Sequence, residues 1–384
     1  MQFHFVNKIL LELNASIVLQ LWLIEWGIRF LIARGGAAAM YEPVSQLNRL
    51  AIAVIASSVI DAVTLSSRAS AHVKWFASYD VAATPRALLD VSSSAFWLLV
   101  GCSLIGGWTL CKLEQTTLGA ALLRSMDSIS IALRSRTEEL LRAATAAFFI
   151  AIGTVGTFIL TPELKTDSAA ISWLQFAIAL GMFWRATLIF SAVGIVTLFG
   201  VGIVSYGAFH MMDYPIFLGV AGYLALTGLR REFFGLRPLD VARWATVITL
   251  MWASVEKWAY PEWTFPLLEL HPTLTLGLDP SFYMTLAGIA EFGLAFTLLW
   301  TPLVRRLGAL MLLAMFISAV LEFGKLDAIG HLLIVAILVA TAIDDEPRVA
   351  RPPLLAPAFY SGAMLAILAA YYGAHSWIFG AATG

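Results

Sequence analysis

Apolar residues dominate the chain in long blocks, and the polar residues gather between them. The blocks fall at about 15–33, 50–65, 92–111, 143–160, 169–206, 215–226, 240–257, 281–300, 307–323, 328–343 and 358–378. Most approach the roughly 20 residues that a helix needs to cross a bilayer. The 169–206 block is too long for one crossing at about 1.5 Å per residue, and Arg185 divides it. The pattern predicts an all-α, polytopic transmembrane helical bundle of about ten to twelve helices.

The polar stretches are not alike. Residues 112–142 hold Lys112, Arg124, Arg134, Arg136 and Arg142 against Glu114, Asp127, Glu138 and Glu139. Leu118, Leu122, Met126, Ile129 and Leu133 recur there at helical spacing, which predicts an amphipathic helix on the cytoplasmic surface. Arg230, Arg231, Arg237 and Arg243 form a second basic stretch. Arg305 with Arg306, and Arg348 with Arg351, mark two further turns. Counting crossings puts every basic turn on one side, as the positive-inside rule requires. The expected setting is the bacterial inner membrane, with both termini in the periplasm.

The opposite side collects different chemistry. Leu321 to Leu333 carries Glu322, Lys325, Asp327 and His331 between two apolar helices. Intramembrane ionisable groups are costly and mark function by default. The same rim holds His72, Lys74, Asp80, His210, Asp213, Glu256, Lys257 and His271, with Glu291 near mid-bilayer. Asp327 and His331 are spaced i, i+4, so the carboxylate can orient the imidazole for proton transfer or metal binding. Glu291, Asp327 and His331 are therefore the candidate catalytic groups. A carboxylate such as Glu291, with no cation in its own helix, must stay protonated or find one on another helix. Glu256, Lys257, Glu322 and Lys325 are candidates for holding a cofactor. The plainer reading of these four is local charge neutralisation, Glu256 by Lys257 and Glu322 by Lys325. His210 and His331 are the candidate metal ligands. His210-Met211-Met212 combines imidazole with thioethers, a soft set that suits Cu(I).

Composition narrows the class. The chain is 60% hydrophobic and only 13% charged, where soluble domains carry about 25% charge. A net charge of −1 leaves no basic face for nucleic acid. Cys102 and Cys111 are the only cysteines, too few for a disulfide framework or a cysteine zinc site. Glu25 and Arg29 in the first block argue for a retained helix over a cleaved signal peptide. No nucleotide loop, nucleophile elbow or His-Glu-x-x-His helix is found. The lipid bilayer is the one partner that composition requires. Gly153 with Thr157, and Gly362 with Ala366, offer small-residue faces at four-residue spacing, which suit an oligomer or packing within the fold.

The C-terminal part carries a family likeness. Glu256-Lys257-Trp258-Ala259-Tyr260-Pro261 closes one helix, and Gly288, Glu291 and Gly293 lie on the next. Arg306-Leu307-Gly308-Ala309 and Lys325-Leu326-Asp327-Ala328-Ile329-Gly330-His331 follow. Over about 240–343 this resembles the DoxX-like superfamily of four-helix membrane proteins. The resemblance implies a four-helix bundle at 240–384, with its last helix appended, after an N-terminal helical region at 1–239. Some members of that superfamily are linked to quinone-dependent sulfur oxidation, others to redox homeostasis. Lys74-Trp75, Gly101, Gly106 and Leu118-Gly119-Ala120 echo Lys257-Trp258, Gly288, Gly293 and Leu307-Gly308-Ala309, the mark of a degenerate duplication or of chance. Leu104 stands where Glu291 would be in that echo.

Three functions stay open. One is a redox-linked protein binding quinone or a transition metal and served by a periplasmic redox partner. The second is a proton- or ion-coupled transporter, with Glu291 coupling and Lys325 or His331 meeting an anion. The third is a scaffold or biogenesis protein whose polar groups only lock helices together.

Overall fold

The computed structural model describes residues 79–275, 277–344 and 352–380. The apolar blocks within them fold as helices, and the breaks fall where the sequence supplies caps, prolines or glycines. The helices are α1 (Leu88–Val91), α2 (Ser94–Glu114), α3 (Thr117–Arg134), α4 (Thr137–Val155), α5 (Ala169–Leu180), α6 (Leu188–Tyr206) and α7 (Ala208–Met211). There follow α8 (Pro215–Leu229), α9 (Pro238–Ala259), α10 (Phe265–Leu270), α11 (Pro280–Thr297), α12 (Pro302–Phe323), α13 (Lys325–Ile343) and α14 (Leu355–Phe379). No strand is formed among the described residues. The expected helices at 15–33 and 50–65, with Glu25, Arg29, His72, Lys74 and the arginines at 348 and 351, lie outside the described residues.

Ser93, Thr116 and Asp279 each accept a hydrogen bond from a first-turn amide, capping α2, α3 and α11. Pro215, Pro238, Pro280 and Pro302 open α8, α9, α11 and α12, positions where the missing amide hydrogen costs nothing. Between α12 and α13 the chain reverses on Gly324 alone, at φ 80° and ψ −150°, a region open essentially only to glycine. The division at Arg185 is present as a 3-10 turn, Arg185–Thr187, between α5 and α6.

Among the described residues, five helical segments are long and apolar enough to cross a membrane: α2, α6 with its 3-10 lead, α12, α13 and α14. Helices α5 and α8 are apolar but shorter. This is a helical bundle of the membrane-spanning kind. Helix α9 packs on α8 and α11, α12 packs on α13, and α13 also packs on α4. At Gly288 a Cβ would collide with the Trp258 indole, so α11 approaches α9 at a distance only glycine allows.

The starts of α9 and α12 and the end of α13 meet at one end of the bundle. Arg237 and Arg243 bind the Asp344 carboxylate at 2.7 and 3.3 Å, and Arg306 donates to the Asp344 carbonyl at 2.5 and 3.1 Å. Arg306, only 1% exposed, also pairs with Asp127 of α3 at 2.8 Å. Burial raises the Asp344 carboxyl, but hydrogen bonding to Arg237 and the fields of Arg237, Arg243 and Arg305 outweigh it and hold the group below the ordinary carboxylate value. Arg237, Arg243 and Arg306 are thus tied into the bundle by Asp344, Asp127 and also Asp240, which pairs with Arg237 and Arg243.

The single amphipathic helix expected over 112–142 is instead the end of α2, all of α3 and the start of α4. Helix α3 touches the arginine end with both of its own ends. Glu114, just before it, binds Thr301 and the Leu303 amide at the start of α12. Arg134, its last residue, donates to the Ile343 carbonyl at 3.0 Å. Gly119, Leu123 and Ser130 are buried, while Leu118, Leu122, Ile129 and Leu133 are exposed. Hydrogen-bonding demand at the bundle decides this: Asp127 and Arg134 must reach Arg306 and Ile343, which turns the leucine stripe outward. In the proposed duplication α3 echoes α12, yet α3 lies across this end whereas α12 is one of the long apolar helices.

Candidate functional site

At the end opposite the arginines, a cavity of about 270 Å³ opens between α8, α9, α11, α12 and α13. Such a volume sits just under the range of about 300–1,000 Å³ for drug-sized ligand sites, room for one ring-sized group. Its walls are largely apolar, with Leu250, Leu267, Leu312, Phe316 and Ile334 among them.

Five of the predicted site residues line it: Glu256, Lys257, Glu291, Asp327 and His331. Glu291 finds its cation on another helix, the Lys257 ammonium of α9 at 2.6 Å. The Glu291 side chain is 10% exposed and that of Lys257 is 25%. Across the cavity wall His331 Nδ1 lies 3.0 Å from Asp327 Oδ2 within the first two turns of α13. Asp327 is 1% exposed, and the His331 ring rests 4.8 Å from that of Phe316 on α12. The contact sets a buried carboxylate beside an imidazole, a pairing of groups suited to proton transfer.

Two predicted cofactor residues are elsewhere. Glu322 pairs with His271 at 2.7 Å on an exposed rim rather than with Lys325. Neither Glu322 nor Lys325 lines the cavity. The reversal at Gly324 separates them: Glu322 ends one helix and Lys325 starts the next, so three residues of sequence do not become one helical turn. Lys257 likewise pairs with Glu291 on another helix, since neighbours on a helix point about 100° apart.

The cavity has a built cover. Trp263 and Tyr260, stacked at 4.1 Å, line it with Thr264 and Leu267. The cover is tied down from outside: Tyr260 donates to the Ala83 carbonyl at 2.6 Å, and Arg86 binds Glu262 at 2.6 Å. The α12 wall is different. Leu312, Met315, Phe316, Ala319 and Phe323 lie on one face, and Met315 is 40% exposed. At about 1.5 Å per residue, Met315 sits roughly 12 Å inside the Phe323 end of an apolar, membrane-length helix.

A second group borders the first through Asp213 and Tyr214, which line the cavity. Glu163, His210 and Asp213 are all buried, and one donor atom from each falls within 4.8 Å of the others. His210 Nε2 is 2.5 Å from Glu163 Oε1, and the Tyr214 hydroxyl donates to the same oxygen. Of the two candidate metal ligands, His210 joins this group, and His331 stands with Asp327 in the other. The thioethers also diverge from His210. A Cβ on Gly202 would meet the Met211 sulfur, so Met211 is packed toward α6, and Met212 is exposed.

Glu163 is not among the sequence candidates, since it lies in the short loop after α4 and not inside an apolar helix. Its place on the same rim as His210, given by helix parity, was the available signal. No family model, curated protein or solved structure matches the chain.

Proposed function

We propose that this is an integral membrane redox protein that holds the ring of a lipid-soluble quinone in the cavity and exchanges protons with it. The carrying observation is the cavity wall at Met315, which reaches the outer apolar face of α12 while the rim side is covered. A ligand arriving from the hydrocarbon layer fits that path better than one arriving from water. Charge points the same way. Asp213, Glu256, Glu291 and Asp327 line the cavity against the single ammonium of Lys257, an excess that disfavours anionic substrates. Quinone oxygens are neutral acceptors, and Lys257 and His331 are donors. The quinone takes up two electrons and two protons to become the quinol. Asp327–His331 would pass the protons, and a soluble periplasmic redox partner would supply the electrons. The bacterial inner membrane, with the carboxylate end outward, and membership of the DoxX-like superfamily belong to the same proposal.

The test is lipid extraction and mass spectrometry of detergent-purified protein, followed by titration with a short-tailed quinone read by tryptophan quenching. The expected result is co-purifying quinone and saturable quenching, with a smaller amplitude in Trp263→Phe and weaker binding in His331→Ala. Absence of both quinone and saturable binding overturns the proposal. Proton flux into proteoliposomes that Glu291→Gln abolishes would assign the cavity to transport instead.

A further inference from the structure

We infer that Glu163, His210 and Asp213 form a binding site for a divalent transition-metal ion beside the cavity. The donors come from two pieces of chain: Glu163 from the loop after α4, and His210 with Asp213 from α7 and the turn that follows it. Each residue is at least nine-tenths buried, and their donor atoms already converge within 4.8 Å. Metal–ligand bonds of about 2.1 Å in a tetrahedral site put donors about 3.4 Å apart, so small side-chain shifts close the shell. Both protein walls are rigid. The loop carrying Glu163 is pinned by an Ile159-to-Leu164 backbone bond at 2.7 Å and by the Gln175 amide, which donates to the Phe158 and Ile159 carbonyls at 2.7 and 2.8 Å. The Tyr206 hydroxyl holds the Lys165 carbonyl at 2.9 Å. An outer partner is present on Glu163, whose Oε1 accepts from the Tyr214 hydroxyl.

The donor set selects the ion. One imidazole and two carboxylates suit Zn²⁺, Fe²⁺ or Mn²⁺, and a soft thioether set for Cu(I) is not assembled, since Met211 faces Gly202. Two converging buried carboxylates beside one imidazole also gain from a dipositive charge between them. The site shares Asp213 with the cavity wall, but the assignment does not rest on what the cavity holds.

Metal analysis of the purified full chain is the first measurement. EDTA-stripped protein is then titrated calorimetrically with Zn²⁺, Mn²⁺ and anaerobic Fe²⁺, each alone. The expected result is about one ion per chain and an affinity that Asp213→Asn and Glu163→Gln each lower by at least about tenfold. His331→Ala and Met211→Leu should leave it unchanged. A stripped chain that binds none of the three ions, or an Asp213→Asn protein that unfolds at the wild-type temperature and binds as tightly, overturns the assignment. Loss of affinity in Met211→Leu, in a folded protein, would do so as well.

Discussion

Replacing Lys257 with methionine removes an ammonium while keeping the length and apolar body of the side chain. At 2.6 Å and an effective dielectric constant of about 20, the gross attraction to Glu291 is about 6 kcal/mol. Desolvation of the two ions cancels much of this, so the intact pair contributes little net stability. The single variant is different, because it strands a carboxylate among α9, α11 and α13. Stranding a fully buried charge costs about 3–5 kcal/mol. The quarter exposure of Lys257 admits some water, which reduces the figure to about 2–3 kcal/mol. Adding Glu291→Gln to Lys257→Met should recover most of the loss. Thermal unfolding in detergent, followed by intrinsic fluorescence, reads this directly at roughly 2–4 °C per kcal/mol, or somewhat less for a chain of this length. The expected order is wild type near the double variant, with Lys257→Met several degrees below both. A double variant no more stable than Lys257→Met would refute the coupling and with it the cavity's charge arrangement.

Other outcomes follow from the same geometry. Gly288→Ala drives a methyl into the Trp258 indole and should cost about 1–3 kcal/mol, whereas Gly101→Ala, facing open space, should be nearly silent in the same melt. Gly324→Ala forces a side chain onto a backbone at φ 80° and should cost about 1–3 kcal/mol, with a loss of ligand binding as Asp327 and His331 move. At the arginine end the depressed Asp344 carboxyl stabilises the fold. That contribution is complete above the ordinary carboxylate range near pH 4 and is lost as pH falls through the lowered value. Asp344→Asn should therefore melt lower at pH 7 and lose less than wild type between pH 5 and pH 3; parallel acid limbs would contradict the assignment.

The candidate site was partly readable from the chain. Glu291, Asp327 and His331 stood out because an ionisable residue inside an apolar helix is costly wherever the helix packs, and that cost is a property of sequence. Glu291's need for a cation on another helix was equally evident. That the cation is Lys257 was not, because the pairing depends on the approach of α11 to α9 at Gly288. Glu322 and Lys325 lie outside the cavity and apart from each other, because the Gly324 reversal separates residues that are close in sequence. Glu163 was missed because its partners lie 47 and 50 positions further along the chain.

The sequence alone determined most of the long apolar helices, the break at Arg185 and the opposite ends at which arginines and carboxylates gather. Those follow from hydrophobic length, from proline and glycine stereochemistry and from the cost of burying charge, all of which act locally. Tertiary packing decided which charges meet, which face of α3 turns inward and where a cavity remains. Those depend on how closely two helices approach and at what rotation, quantities set by many small contacts at once and carried by no single stretch of the chain.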